Sequence, residues 1–100
     1  MIHHVVMWRL HDEAKRASWL VITEQLERNV AAMRASVPGL LRLELGINRA
    51  GVPDAADLLL YSEFESWHAL KGYEVHPLHD ELRRLIGPLR IERRVVDYQT

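Results

Sequence analysis

One hundred residues, 48% of them hydrophobic and 27% charged, with a formal net charge of -1, suit one soluble globular domain over residues 1–100 and exclude a disordered or two-domain chain. The balance of 13 Lys and Arg against 14 Asp and Glu supplies no basic field for nucleic acid or an anionic membrane, so neither is an expected partner. The lack of cysteine excludes disulfides, thiolate metal sites and a cysteine nucleophile. With no secretory leader pattern and no bilayer-spanning apolar run, the expected location is cytoplasmic.

Ile2 to Leu10, rich in Val, Met and Trp, predicts a first strand, bounded by His11-Asp12-Glu13. Asp12 is the expected N-cap of a helix whose apolar stripe is Trp19, Ile22, Leu26, Val30, Met33 and Val37. That helix should stop at or before Pro38-Gly39. Beyond it Leu41, Leu43, Leu45 and Ile47 alternate with Arg42, Glu44, Gly46 and Asn48, which predicts a second strand with one apolar face. Arg49 to Asp57 reads as a loop, and Leu58 to Phe64 as the third strand. Ser66 is the expected cap of a short helix containing Trp67, Leu70 and Lys71, which Gly72 weakens. His76 then caps a further helix opened by Pro77 and buried through Leu82, Leu85 and Ile86. Gly87-Pro88 ends it, and Leu89 to Tyr98 forms the last strand.

Short right-handed connections fold this order into an α+β, ferredoxin-like unit, a four-stranded antiparallel sheet with helices on one face. Alternation assigns Val5, Met7, Leu59, Tyr61, Val96 and Tyr98 to the other face, surrounded by Arg9, Arg42, Glu44, Glu63 and Arg94. An apolar centre inside a charged surround has the character of a subunit interface, the alternative being a solvated face with scattered hydrophobes.

The segments His4-Val5-Val6, Val37-Pro38-Gly39, Ser62-Glu63-Phe64-Glu65-Ser66, Tyr73-Glu74-Val75-His76-Pro77-Leu78-His79 and Arg93-Arg94-Val95-Val96-Asp97-Tyr98 resemble the stress-responsive dimeric α/β-barrel (Dabb) family in order and spacing. The resemblance spans essentially the whole chain. It implies a homodimer in which two sheets meet face to face as a barrel, and a small apolar pocket between sheet and helices. It also implies a candidate catalytic set from a plant polyketide cyclase of that family, whose tyrosine falls on Tyr73, principal histidine on His79 and first-strand histidine on His4. Two other polar positions of the cyclase fall on Leu58 and Val30, which argues against a polyketide substrate. Val6, Trp8, Leu26, Val30, Leu58 and Val95 complete the expected lining of a pocket for a hydrophobic or carbonyl-containing small molecule.

The chemistry of the matched residues is coherent. A neutral imidazole accepts a proton near neutral pH, and a neighbouring phenol can donate to a developing enolate oxygen. No cofactor is expected, and His76 with His79 gives only two candidate ligands, so no metal either. His79 has two readings, a general base or a hydrogen-bonded core histidine. His3, His11 and His68 are expected to face solvent, and Asp97 to pair with an arginine across the dimer. The function is then a ligand-binding stress protein or a cofactor-independent enzyme of the cyclase, lyase or monooxygenase kind. Some related dimeric barrels bind haem, but no diagnostic haem-ligand arrangement can be read here.

Overall fold

The structure, a computed structural model, describes residues 1–100. The first strand, β1 (Ile2–Leu10), alternates as its sequence requires: Ile2, His4, Val6, Trp8 and Leu10 are buried on the helix side, and His3, Val5, Met7 and Arg9 lie on the other. β1 runs antiparallel to both neighbours, pairing with β3 (Leu58–Phe64) and with β4 (Arg90–Gln99). β2 (Leu40–Ile47) adds to β3, and the sheet order is β2-β3-β1-β4. Three helices, α1 (Asp12–Ser36), α2 (Trp67–Glu74) and α3 (Pro77–Ile86), complete the ferredoxin-like unit.

α1 covers the sheet through Ile22, Leu26, Val30 and Met33, the stripe expected from spacings of three and four. Its start differs from the expectation. His11 occupies the N-cap without a side-chain bond, and Asp12 is already helical, its carboxylate 3.4 Å from Lys15 Nζ. Asp57 ties this end down instead, accepting from the Leu10 N–H at 2.8 Å and from Lys15 Nζ at 3.0 Å. The hydrogen bond to Asp57 holds the Lys15 ammonium above its ordinary pKa. A kink at Ser18 (φ -148°, ψ 23°) separates this first turn from the packed remainder.

The turn out of α1 requires glycine at 39. Gly39 has φ +75°, and a Cβ there would meet Ala69 Cβ at 2.5 Å, so any side chain would collide with α2. A bulge follows between Leu40 and Arg42, which throws Leu41 out of the ladder and leaves it exposed. Leu40 therefore packs against the core in place of Leu41, with Leu43, Leu45 and Ile47 following it.

Ser66 caps α2 by accepting from the Ala69 N–H at 3.1 Å. His76 caps α3, its Nδ1 accepting from the Leu78 N–H at 3.1 Å, with Pro77 at the position where a missing N–H costs nothing. Asn29 Nδ2 donates to the Leu78 carbonyl at 2.9 Å and so fixes α1 against the start of α3. No helix is long and apolar enough to cross a membrane.

The far face of the sheet carries no helix. Met7, Val96 and Tyr98 are exposed on it, with Val5, Leu59 and Tyr61 half-buried beside them. His3 belongs to this face and is not free in solvent as expected: Nδ1 is 2.7 Å from the Tyr61 hydroxyl, Nε2 is 2.9 Å from Thr100 Oγ1, and the ring stacks on Tyr98 at 4.5 Å. The Tyr61 hydroxyl donates in turn to Glu63 at 2.7 Å, which with lesser contributions from burial and the Glu63 charge pushes the phenol up to about 12.

Candidate functional site

The chain leaves helical geometry only at Val75 and His76 between α2 and α3, so Tyr73 near the end of one helix and His79 in the first turn of the next are brought face to edge. Their ring centroids are 4.6 Å apart at 66°. The Tyr73 ring also meets His4 edge-on at 5.9 Å and Phe64 at 5.1 Å, so the sheet fixes one side of it and α3 the other. Beside these rings lies a cavity of about 370 Å³ between α3 and the β1 and β4 side of the sheet. His4, Val6 and Trp8 form its floor from β1, and Leu60 joins them from β3. Tyr73, His79, Leu82 and Ile86 enclose it from the helices, with Arg83, Gly87, Arg90 and Arg93 completing the lining.

Three of the lining residues carry a buried polar atom with no hydrogen-bond partner: Trp8 Nε1, the Tyr73 hydroxyl and His79 Nδ1. Their residues are only 4%, 1% and 7% exposed. Each orphaned group in such a setting costs about 1–3 kcal/mol, so three on one cavity wall form a concentrated deficit. Burial pushes the Tyr73 phenol well above its ordinary range, so it stays protonated and able to donate. Burial, with smaller contributions from the Arg83 guanidinium and His4, lowers His79 to about 4, which leaves a neutral imidazole at pH 7.

His4 is satisfied differently. Its Nδ1 bonds the carboxylate of Asp97, the residue opposite it in the β1–β4 ladder. Asp97 thus pairs with a histidine of its own chain, where an arginine was expected. The contact places the His4 proton on Nδ1 and orients the ring from behind the cavity.

Of the other residues expected around the site, Val6 and Trp8 line the cavity, whereas Leu26, Val30 and Leu58 pack within the hydrophobic core and do not reach it. Val95 lies opposite Val6 on the same face but is 37% exposed beside the cavity and outside its lining. Sequence reasoning missed Arg83, Arg90 and Arg93. Strand register carried a signal for two of them, since Arg93 stands opposite Trp8 and Arg90 opposite Leu10. His76 uses its Nδ1 for the α3 cap, and no three His, Asp or Glu side chains come together in a metal-ligating group.

Comparison with known proteins places the fold. A family model described as the stress responsive A/B barrel domain matches residues 2–100. A dimeric protein of unknown function and ferredoxin-like fold from Bacteroides fragilis is 25% identical, with a TM-score of 0.88 over 99% of this chain and 95% of that one. A Dabb family protein with a ferredoxin-like fold from Mesorhizobium loti is 21% identical, with a TM-score of 0.74 over 99% of this chain and 95% of its own. An antibiotic biosynthesis monooxygenase at 17% identity and a TM-score of 0.80, covering 100% and 98% of the two chains, shares the fold. No curated protein matches the sequence.

Proposed function

The chain belongs to the stress-responsive A/B barrel domain family, and from that premise we propose that it is a homodimer whose cavity binds a small, mainly apolar molecule bearing a carbonyl or similar hydrogen-bonding group. The observation that carries this reading is that three residues lining one cavity, Trp8, Tyr73 and His79, each hold a buried polar atom with no partner in the chain. A core histidine and tyrosine would be expected to find partners inside the protein. These three find theirs in a ligand: the indole N–H and the phenol donate, and the imidazole donates or accepts according to its tautomer. Val6, Leu60, Leu82 and Ile86 supply the apolar contact that holds the rest of the molecule. The absence of cysteine suits a reducing compartment such as the cytoplasm.

The homodimer rests on the uncovered sheet face. Its apolar centre, Val5, Met7, Leu59 and Val96, is ringed by Arg9, Arg42, Glu44, Glu63 and Arg94, a surface complementary to its own copy under two-fold symmetry. The Bacteroides relative is described as dimeric.

A second reading adds chemistry at the same place. Neutral His79 removes a proton from a carbon next to the ligand's carbonyl, Tyr73 donates a hydrogen bond to the enolate oxygen, and His4, held by Asp97, lines the far wall. Burial leaves His79 a weaker base than free imidazole, so binding is the first reading and proton transfer the second.

One experiment addresses both. Propiophenone at ten times its dissociation constant should raise the melting temperature by several degrees, an effect of about 1.4 kcal/mol by mass action, and Tyr73→Phe should weaken the response. No shift from propiophenone in the wild-type protein contradicts the ligand reading. In D2O, proton transfer would deuterate the carbon next to the carbonyl, and His79→Gln would abolish that exchange. Binding without exchange removes the catalytic reading and leaves the first.

A further inference from the structure

We propose that the ligand of this cavity is a small carboxylate, its anionic head held at the rim by Arg83, Arg90 and Arg93 and its carbonyl or hydroxyl end directed at Trp8, Tyr73 and His79. The inference rests on the binding reading above and narrows it to a charge class. Three guanidiniums line the cavity and no Asp or Glu does. Arg90 and Arg93 make no ion pair with any carboxylate of the chain, whereas Arg9, Arg42 and Arg94 on the opposite sheet face are all paired. Arg83 pairs only with Asp80 across 3.0 Å, both side chains about half exposed, a contact that costs little to exchange.

This positive wall is local, because the whole chain carries a net charge of -1. Its field reaches the buried rings: Arg83 and Arg93 both disfavour the protonated form of His79 and both favour ionisation of Tyr73. A carboxylate at the rim would meet planar donors suited to bidentate contact. The volume of about 370 Å³ has room for on the order of a dozen non-hydrogen atoms, judged against the share of volume taken by a water molecule. That fits an acyl or aryl keto acid with one charged end. The three orphaned polar atoms are a separate observation from the arginines, and they point to the same occupant, one polar at both ends and apolar between.

Titration calorimetry at low salt with 4-oxo-4-phenylbutanoate, its methyl ester and inorganic phosphate tests the proposal on the intact protein. The acid should bind about tenfold or more tightly than the ester, the scale of one charge-assisted contact. In the double variant Arg90→Gln with Arg93→Gln the acid's advantage over the ester should shrink by about threefold or more, Arg83 keeping the remainder. Both positions are exposed on β4, so folding should survive, as an unchanged melting temperature would show. An ester that binds as well as the acid, or an acid preference undiminished in the double variant, overturns the carboxylate and leaves the cavity reading standing. Phosphate displacing the acid at equal concentration also overturns it, in favour of a phosphorylated ligand. If neither acid nor ester binds, both this inference and the ligand reading fail.

Discussion

The two faces of β1 carry the same kinds of residue and treat them in opposite ways. On the open face His3, Tyr61, Glu63 and Thr100 bond one another, so each of these four polar tips has a partner within the chain. On the helix face His4 finds Asp97, but Trp8, Tyr73 and His79, which line the cavity, each keep a buried polar atom without a partner. A surface whose polar groups are already satisfied needs only apolar cover, which a second copy of the sheet supplies. A cavity with unsatisfied donors needs a molecule that brings acceptors.

The largest test of this contrast is Val96→Asp on the open face, at a residue 54% exposed in the single chain. Burying an unpaired carboxylate in a sheet-to-sheet interface should cost about 3 kcal/mol or more, on the order of a hundredfold in dimer affinity. Sedimentation of the wild-type protein at micromolar concentration should show twice the 11.6 kDa chain mass, and the variant a monomer. A wild-type monomer would remove the interface.

A sharper test uses the two phenols. Tyr73→Phe deletes an orphaned hydroxyl and should stabilise the unliganded protein by about 1 kcal/mol, raising the melting temperature by about 4–8 °C. Tyr61→Phe deletes a hydroxyl bonded to His3 and Glu63 and should destabilise by a similar amount. Equal signs in the two variants would break the contrast.

The last test is a pH dependence. His79 titrates at about 4 in the folded protein and near 6.5 when unfolded, so the unfolded chain binds more protons between those values. Stability should therefore fall as pH drops from about 6.5 to about 4. Chemical denaturation of wild type against His79→Gln measures it, and the variant should lose that part of the slope; parallel profiles would show that His79 is not held neutral by its surroundings.

Most of the architecture was legible because period and capping are local. The alternation of β1, the stripe of α1 and the Ser66 and His76 caps can each be read from a few neighbouring residues. Departures came where tertiary contacts decide, as when Asp57 replaced Asp12 as the anchor of α1 and a bulge turned Leu41 outward. The juxtaposition of Tyr73, His79 and His4 was suggested by family resemblance, since no short-range rule brings a first-strand residue to the α2–α3 junction. Leu26, Val30 and Leu58 fell into the core because nothing in an aliphatic side chain distinguishes cavity wall from packed interior. Arg83, Arg90 and Arg93 carry no short-range signal, and the ladder that sets Arg93 opposite Trp8 and Arg90 opposite Leu10 gives two of them a place.

The central claim is that the unpartnered atoms of the cavity are completed by a ligand, and the two indoles of Trp8 and Trp67 offer an internal comparison. Trp67 Nε1 already donates to Gln99 at 3.3 Å on the surface, while Trp8 Nε1 has no partner. In a 15N-resolved NMR titration with 4-oxo-4-phenylbutanoate and with propiophenone, the account predicts that the Trp8 indole N–H and the His79 ring nitrogens shift with saturation while the Trp67 indole stays in place. A Trp8 signal that does not move with either compound, or indole shifts of equal size at both positions, would contradict it.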